Sequence, residues 1–225
     1  VLMRDVDMQE ILRLIPAMQV THSIFVPAVM QFLLAQPNIL DVDFSSLQMV
    51  AYGASPITEE VLVAAMNMFK ANFYQVYGLT ETTGGVTVLM PEDHDPGGPR
   101  AALLRSCGKA VANHELRIID RQSGAVLADG EVGEILIKGP QIMRGYWRNA
   151  AATAECIDAD GWFRSGDAGY LQDGFLFIHD RVKDMIISGG ENIYPAEIEN
   201  VLMSHPDISD AAVIGVPSER WGETV

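Results

Sequence analysis

An α/β fold is predicted: part of a doubly wound, mainly parallel sheet, followed by a small β-rich, barrel-like subdomain and the start of a small α+β domain. Three observations predict it. Strand and helix signals alternate through about the first hundred residues, which implies parallel strands joined by right-handed crossovers and covered by helices. From about Leu104 the texture changes to short strands separated by turns carrying Gly, Asp and Asn. Then an alternating-sign quartet, Asp180, Arg181, Lys183 and Asp184, interrupts two apolar runs before helical spacing resumes. The expected boundaries are 1–104, 105–180, a connecting stretch 181–184, and 185–225.

Taken in order, "MQEILRLI" places Ile11, Leu12 and Ile15 on one helical face, and "VTHSIFV" reads as a buried strand. "PAVMQFLLAQ" opens with Pro27, suited to the first turn of a helix. "LQMVAY" is a strand and "GASP" a turn. "EEVLVAAMNMFK" is a helix with Thr58 as N-cap and two acids in its first turn. "NFYQVYG" is a further strand. In the second texture the strands are "ELRIID", "GEILIKG" and "FLFI". A helix follows Gly190, with Pro195 in its first turn, Ile198, Val201 and Leu202 at helical spacing, and an end before Pro206. "AAVIGV" then reads as a strand. A unit this short cannot close a core of its own, so the chain reads as truncated.

The formal charge of −15 and pI near 4.5 exclude nucleic acid as a partner, because phosphate binding needs clustered Lys and Arg. Cys107 and Cys156 have neither disulfide-framework nor zinc-ligand spacing. No leader opens the chain and no apolar run approaches the roughly 20 residues of a membrane span, so a cytoplasmic location is expected. "LLRSCGKA" lacks the upstream Gly and the following Ser or Thr of a P-loop. His22, His94, His114, His179 and His205 are scattered without paired spacing, and each is read as structural or on the surface rather than catalytic.

Two strand ends can carry chemistry, because ligands of open parallel sheets bind beyond the carboxyl ends of the strands. In "YGASPI" the small residues Gly53, Ala54 and Ser55 allow close approach of a flat ligand. "YGLTETTGG" supplies a ring at Tyr77, a tight turn at Gly78, a hydroxyl at Thr80 and a carboxylate at Glu81, a set able to stack a base, bond a phosphate and hold a hard cation. Both also read as a plain turn and a polar edge. In "GWFRSGDAGY" the Asp167 carboxylate can accept from two vicinal hydroxyls; taken alone, a turn Asp bonding its own backbone is the better reading.

Together and in this order, "YGASPI", "QVYGLTETTGG", "GEILIKGPQIMRGYW", "GWFRSGDAGY" and "DRVKDMIISGGENIYPAEIE" resemble the adenylate-forming superfamily. That superfamily comprises acyl-CoA synthetases, coumarate-CoA ligases, firefly luciferase and peptide-synthetase adenylation domains. The resemblance implies that Gly53, Ala54 and Ser55 line the adenine and acyl-adenylate pocket. Gln75, Val76 and Tyr77, followed by Gly78, would border the adenine of ATP or AMP, with Tyr77 stacking on it. Thr80 would contact phosphate and Glu81 would coordinate Mg2+. Asp167 and Arg181 would hold the ribose hydroxyls. Lys183 matches a hinge about which a small C-terminal domain turns between two half-reactions. Gly189 and Gly190 would line the tunnel for the pantetheine arm of CoA. The implied reaction joins a carboxylic acid to AMP and then passes the acyl group to a thiol.

The sequence departs from the family pattern in three places. The Ser/Thr/Gly-rich phosphate loop and the C-terminal lysine that assists adenylation are absent, and Ile187 stands where coumarate ligases and luciferase carry lysine. The 225 residues alone are therefore expected to be inactive. The "DRVKDMIISGGENIYP" stretch favours an acyl-CoA synthetase over a peptide-synthetase domain. The alternatives are an acyl-AMP ligase serving a carrier-protein thiol and a non-catalytic nucleotide-binding module on the same scaffold. Gly84 and Gly85 are read as leaving room for a medium- or long-chain fatty acid, or another bulky hydrophobic acid.

Overall fold

The structure, a computed structural model, describes every residue except Val1, Gly190, Ser204, Pro206, Ser209 and Asp210. It divides into two compact units, Val1–Val111 and Ala112–Val225.

In the first unit, α1 (Met8–Ala17) begins where the Asp7 carboxylate accepts the Glu10 amide, and its apolar spacing turns Leu12 and Ile15 into the core. There follow β1 (His22–Phe25), α2 (Pro27–Leu34, with Pro27 at its start), β2 (Met49–Gly53), α3 (Glu59–Phe69) and β3 (Asn72–Leu79). Thr58 caps α3, its hydroxyl accepting the Val61 amide. Strands β1, β2 and β3 are parallel neighbours, as expected of crossover units. Two further strands, β4 (Gly84–Leu89) and β5 (Lys109–Ala110), extend the sheet antiparallel in the order β1-β2-β3-β4-β5. Phe25, Phe44, Phe69 and Phe73 pack with Leu62, Met30 and Tyr52 between the sheet and the helices.

Tyr52 carries its hydroxyl into this core, where it is met by His94. The Met90 carbonyl can only accept, so His94 Nδ1 donates to it at 2.9 Å, and Nε2 accepts from the Tyr52 hydroxyl at 2.9 Å. Burial lowers the His94 pKa, opposed by the Met90 bond and the nearby Asp93, and burial raises that of Tyr52. The structural reading of His94 holds.

The second unit opens with an antiparallel meander of β6 (Glu115–Ile119), β7 (Gly133–Lys138), β8 (Phe163–Gln172) and β9 (Phe175–Arg181), with α4 (Ala150–Cys156) between β7 and β8. Trp162 is buried in it, the Arg117 guanidinium 4.0 Å and the Lys138 ammonium 5.7 Å from its ring centroid. Trp147, before α4, is 86% exposed, with the Arg148 guanidinium 5.4 Å from its ring. A small sheet follows, built from β10 (Ile186–Ser188), β11 (Glu191–Ile193), β12 (Val216–Ser218) and β13 (Gly222–Thr224) in the order β11-β10-β13-β12, with α5 (Pro195–Met203) inserted.

Three local expectations are corrected. "VTHSIFV" is not a buried strand: β1 lies at the end of the sheet order, with Ile24 80% exposed. "AAVIGV" is not a strand: residues 211–215 have no regular structure, and β12 begins at Val216, where pairing with Thr224 of β13 sets the register. "GWFRSGDAGY" is not a Gly-rich turn either; ten residues from Phe163 form β8, paired on both sides.

Candidate functional site

In the first unit the two loops that drew attention lie at the carboxyl ends of adjacent parallel strands, because Gly53 ends β2 and pairs with Val76 of β3. A Cβ on Gly53 would lie 2.0 Å from the Val76 carbonyl oxygen, so the sheet itself forbids a side chain here, with or without a ligand. Ala54 takes a left-handed conformation, φ 68°, uncommon for a residue with a Cβ. Ala54 and Ser55 are exposed, and the chain then enters α3 through its Thr58 cap.

Along β3, Gln75, Val76, Tyr77 and Gly78 are half-buried. Gln75 Nε2 donates to Cys107 Sγ at 3.5 Å, while its Oε1 is buried with no hydrogen-bond partner. Register shifts between Tyr77 and Gly78, and a Cβ on Gly78 would lie 2.0 Å from the Gly84 carbonyl oxygen. A 3-10 turn, Thr80–Thr82, then presents an exposed Thr80 and a half-buried Glu81.

What fixes that turn is Thr82, which sequence reasoning passed over. It is fully buried; its hydroxyl accepts the Leu79 amide at 2.8 Å and lies 2.9 and 2.8 Å from the carbonyls of Leu79 and Gly84, one of which takes its proton. The available signal was a hydroxyl residue two positions before the Gly pair, placed to bridge the two strand ends. A Cβ on Gly85 would lie 2.3 Å from Val76 Cγ1. The space beside Gly85 is thus filled by Val76, and room for an acyl chain does not follow from that residue.

In the second unit Asp167 lies within β8 at 8% exposure, directly opposite Arg181 of β9. Arg181 Nε is 4.0 Å from Asp167 Oδ1. Ser165 holds the strand there, its Oγ accepting the Asp167 amide at 3.0 Å and donating to the Ile135 carbonyl at 2.8 Å. After Arg181 the chain turns: the Asp184 amide reaches the Arg181 carbonyl at 3.0 Å, and Lys183 is exposed. Gly189 has φ 61°, donates its amide to the Trp221 carbonyl at 2.7 Å, and a Cβ there would lie 2.8 Å from Trp221 Cε3. Gly190 lies outside the described residues.

The structure thus joins Gly53 to Val76 and Asp167 to Arg181, with the candidate residues divided between the two units. Among the described residues no group of three or more His, Cys, Asp and Glu side chains could hold a metal ion. Magnesium is compatible with that, since it usually takes one or two carboxylates and completes its shell with phosphate oxygens and water. Among the described residues no helix is long and apolar enough to cross a membrane.

Comparison with known proteins identifies the family. The family profile described as AMP-binding enzyme matches residues 1–147, and that of the AMP-binding enzyme C-terminal domain matches residues 197–225. A fatty acid–acyl-carrier-protein ligase of Streptomyces coeruleorubidus is 41% identical over 226 residues, covering 100% of this chain and 43% of that protein. Among solved structures, the amide bond synthetase McbA of Marinactinospora thermotolerans superposes with a TM-score of 0.90 at 35% identity, over 99% of this chain and 45% of the other. The o-succinylbenzoate CoA synthetase of Bacillus subtilis, solved with its acyl-adenylate intermediate, gives a TM-score of 0.86 at 34% identity, over 99% and 44%. The chain spans less than half the length of these relatives.

Proposed function

The chain belongs to the AMP-binding enzyme family, and from that premise we propose that it is the central segment of an ATP-dependent acid–thiol ligase. In this reading a carboxylate attacks the α-phosphate of ATP to give acyl-AMP and pyrophosphate, and the CoA thiol then attacks the acyl carbonyl, forming the thioester and releasing AMP. The observation that carries it is Asp167: a carboxylate 8% exposed, held in mid-strand by Ser165, with an exposed guanidinium as its partner across the ladder. A carboxylate has the two oxygens needed to accept from two vicinal hydroxyls.

The remaining roles follow from position. Gln75 Oε1, buried without a donor, fits an N–H such as the exocyclic amine of adenine, while Gly53, Ala54, Ser55, Val76, Tyr77 and Gly78 would border the base. Thr80 would donate to phosphate. Glu81 would hold magnesium together with phosphate oxygens, and the ion, when bound, offsets phosphate charge. Lys183 would serve as the hinge, with 181–184 joining the nucleotide-binding part to residues 185–225. Gly189 and Gly190 would flank the pantetheine arm.

A fatty acid is the acyl group we propose, on the similarity to a fatty acid ligase. That same similarity supports a second reading, in which the acceptor is a carrier-protein thiol. The test is a mass-spectrometric product screen on the full-length protein with ATP, magnesium, CoA and a panel of carboxylic acids. Acyl-CoA from one chain-length class supports the first reading. Accumulation of acyl-AMP, released on adding a carrier protein, supports the second; no product across the panel overturns both in favour of a non-catalytic module.

A further inference from the structure

The turn after β9 is bridged by contacts between the residues before it and those after it. Asp180 Oδ1 accepts the Arg181 amide at 2.7 Å, and Oδ2 accepts the amide of Ala196, in the first turn of α5, at 2.9 Å. One residue earlier, the His179 ring lies 5.3 Å from that of Tyr194, immediately before α5. The first amides of any helix have no partner within it, and a carboxylate is among the best acceptors for them. Caps normally come from the residue next to the helix; this one comes from 16 residues upstream, across Lys183. It therefore ties two segments together as well as capping one of them.

We propose that Asp180 is a positioning residue that selects the orientation seen here, and so sets the balance between the adenylation and thiol-transfer half-reactions. The inference rests on the reading of Lys183 as the pivot. Rotation about Lys183 moves Ala196 but leaves Asp180 behind, so the 2.9 Å bond and the His179–Tyr194 contact exist in one orientation and not in another. Asp180 and Ala196 are both half-buried, so water can replace the bond when it opens. A switch between states of similar energy needs a tie of this modest strength. Loss of a helix cap shifts such an equilibrium by about fivefold.

The experiment uses the full-length protein with D180A, D180N and K183P. Adenylation is read by ATP–pyrophosphate exchange, thiol transfer by consumption of preformed acyl-AMP, and capping by amide exchange over residues 195–198. D180A is expected to change the ratio of the two rates about fivefold and to expose the first amides of α5, while D180N, which keeps one acceptor oxygen for the Arg181 and Ala196 amides where Asp180 has two, shifts the ratio in the same direction by a smaller factor. An unchanged ratio in D180A, or both rates falling by the same factor, overturns the proposal. K183P, which stiffens the pivot, separates the two ideas. If it suppresses one half-reaction while D180A leaves the ratio unchanged, the pivot stands and the role of Asp180 falls. If K183P leaves both rates unchanged, the pivot falls and takes the proposal with it.

Discussion

Asp167 and Arg181 face each other across the β8–β9 ladder, and the pair is lopsided: the Asp167 side chain is 12% exposed and that of Arg181 63%, at 4.0 Å. An ion pair so open on one side contributes little to stability. Asp167→Asn is therefore expected to leave the melting temperature of the full-length protein nearly unchanged. Its AMP affinity should fall roughly ten- to a hundredfold, as for loss of a charged hydrogen-bond acceptor. Calorimetric titration with AMP beside thermal melting checks this; a large drop in melting temperature with unchanged affinity would make Asp167 a structural residue.

Gly53→Ala puts a methyl group 2.0 Å from the Val76 carbonyl oxygen, a backbone atom with no side-chain freedom to retreat. We expect a loss of roughly 1–3 kcal/mol, the usual range for overpacking, read as a lower denaturant midpoint with unchanged slope. Gly97→Ala, at a position with nothing within 4 Å but φ +79°, provides the comparison for backbone strain alone.

Thr82→Val keeps the shape of the side chain and deprives the Leu79 amide of its 2.8 Å partner. The expected cost is about 1–3 kcal/mol. Because Thr82 holds the turn bearing Thr80 and Glu81, the adenylation rate should fall by more than the KM for ATP rises. Thr82→Ser, which keeps the hydroxyl, should restore both. Steady-state ATP–pyrophosphate exchange distinguishes these outcomes.

The parallel strands and their helices were legible because each carries its own local signal, such as the Leu12 and Ile15 spacing, Pro27 at a first turn and Thr58 at a cap. Strand β8 was not, because Gly166, Asp167 and Gly169 are poor strand formers and only pairing on both sides makes them one. The same blindness hid why several glycines are glycine. Gly53 and Gly85 suggested room for ligands and Gly78 a tight turn, whereas Gly78 lies within β3 and the atoms that exclude a side chain at all three belong to Val76 and Gly84, known only once β3 and β4 are paired. Candidate polar residues, by contrast, could be named from their loops, since a strand end followed by a small or polar turn is a local pattern. The long-range cap from Asp180 to Ala196 had no local signal.

His94 gives the first unit a pH dependence whose sign is fixed by burial. Its folded pKa is lowered below the ordinary 6.5, so on acidification the unfolded chain takes up the proton first. Its stabilising contribution is complete above about 6.5 and is lost as pH falls through the lowered folded value. Urea midpoints at about pH 7.5 and about pH 5.5 should differ more in the wild-type protein than in His94→Gln. Equal differences in the two proteins would contradict this assignment.

The three tryptophans are sorted by solvent access, for each has a cation near its ring. Trp162 is sealed at 4% exposure, whereas Trp147 and Trp221 are open at 86% and 47%, with Arg148 and Arg220 guanidinium groups 5.4 and 4.5 Å from their rings. The two guanidinium groups should favour iodide over caesium at those indoles, although the chain as a whole carries −15. Neither ion reaches Trp162. Collisional quenching with the two salts therefore resolves the emission into an inner and an outer fraction, and part of the outer one comes from the ring that lies on Gly189.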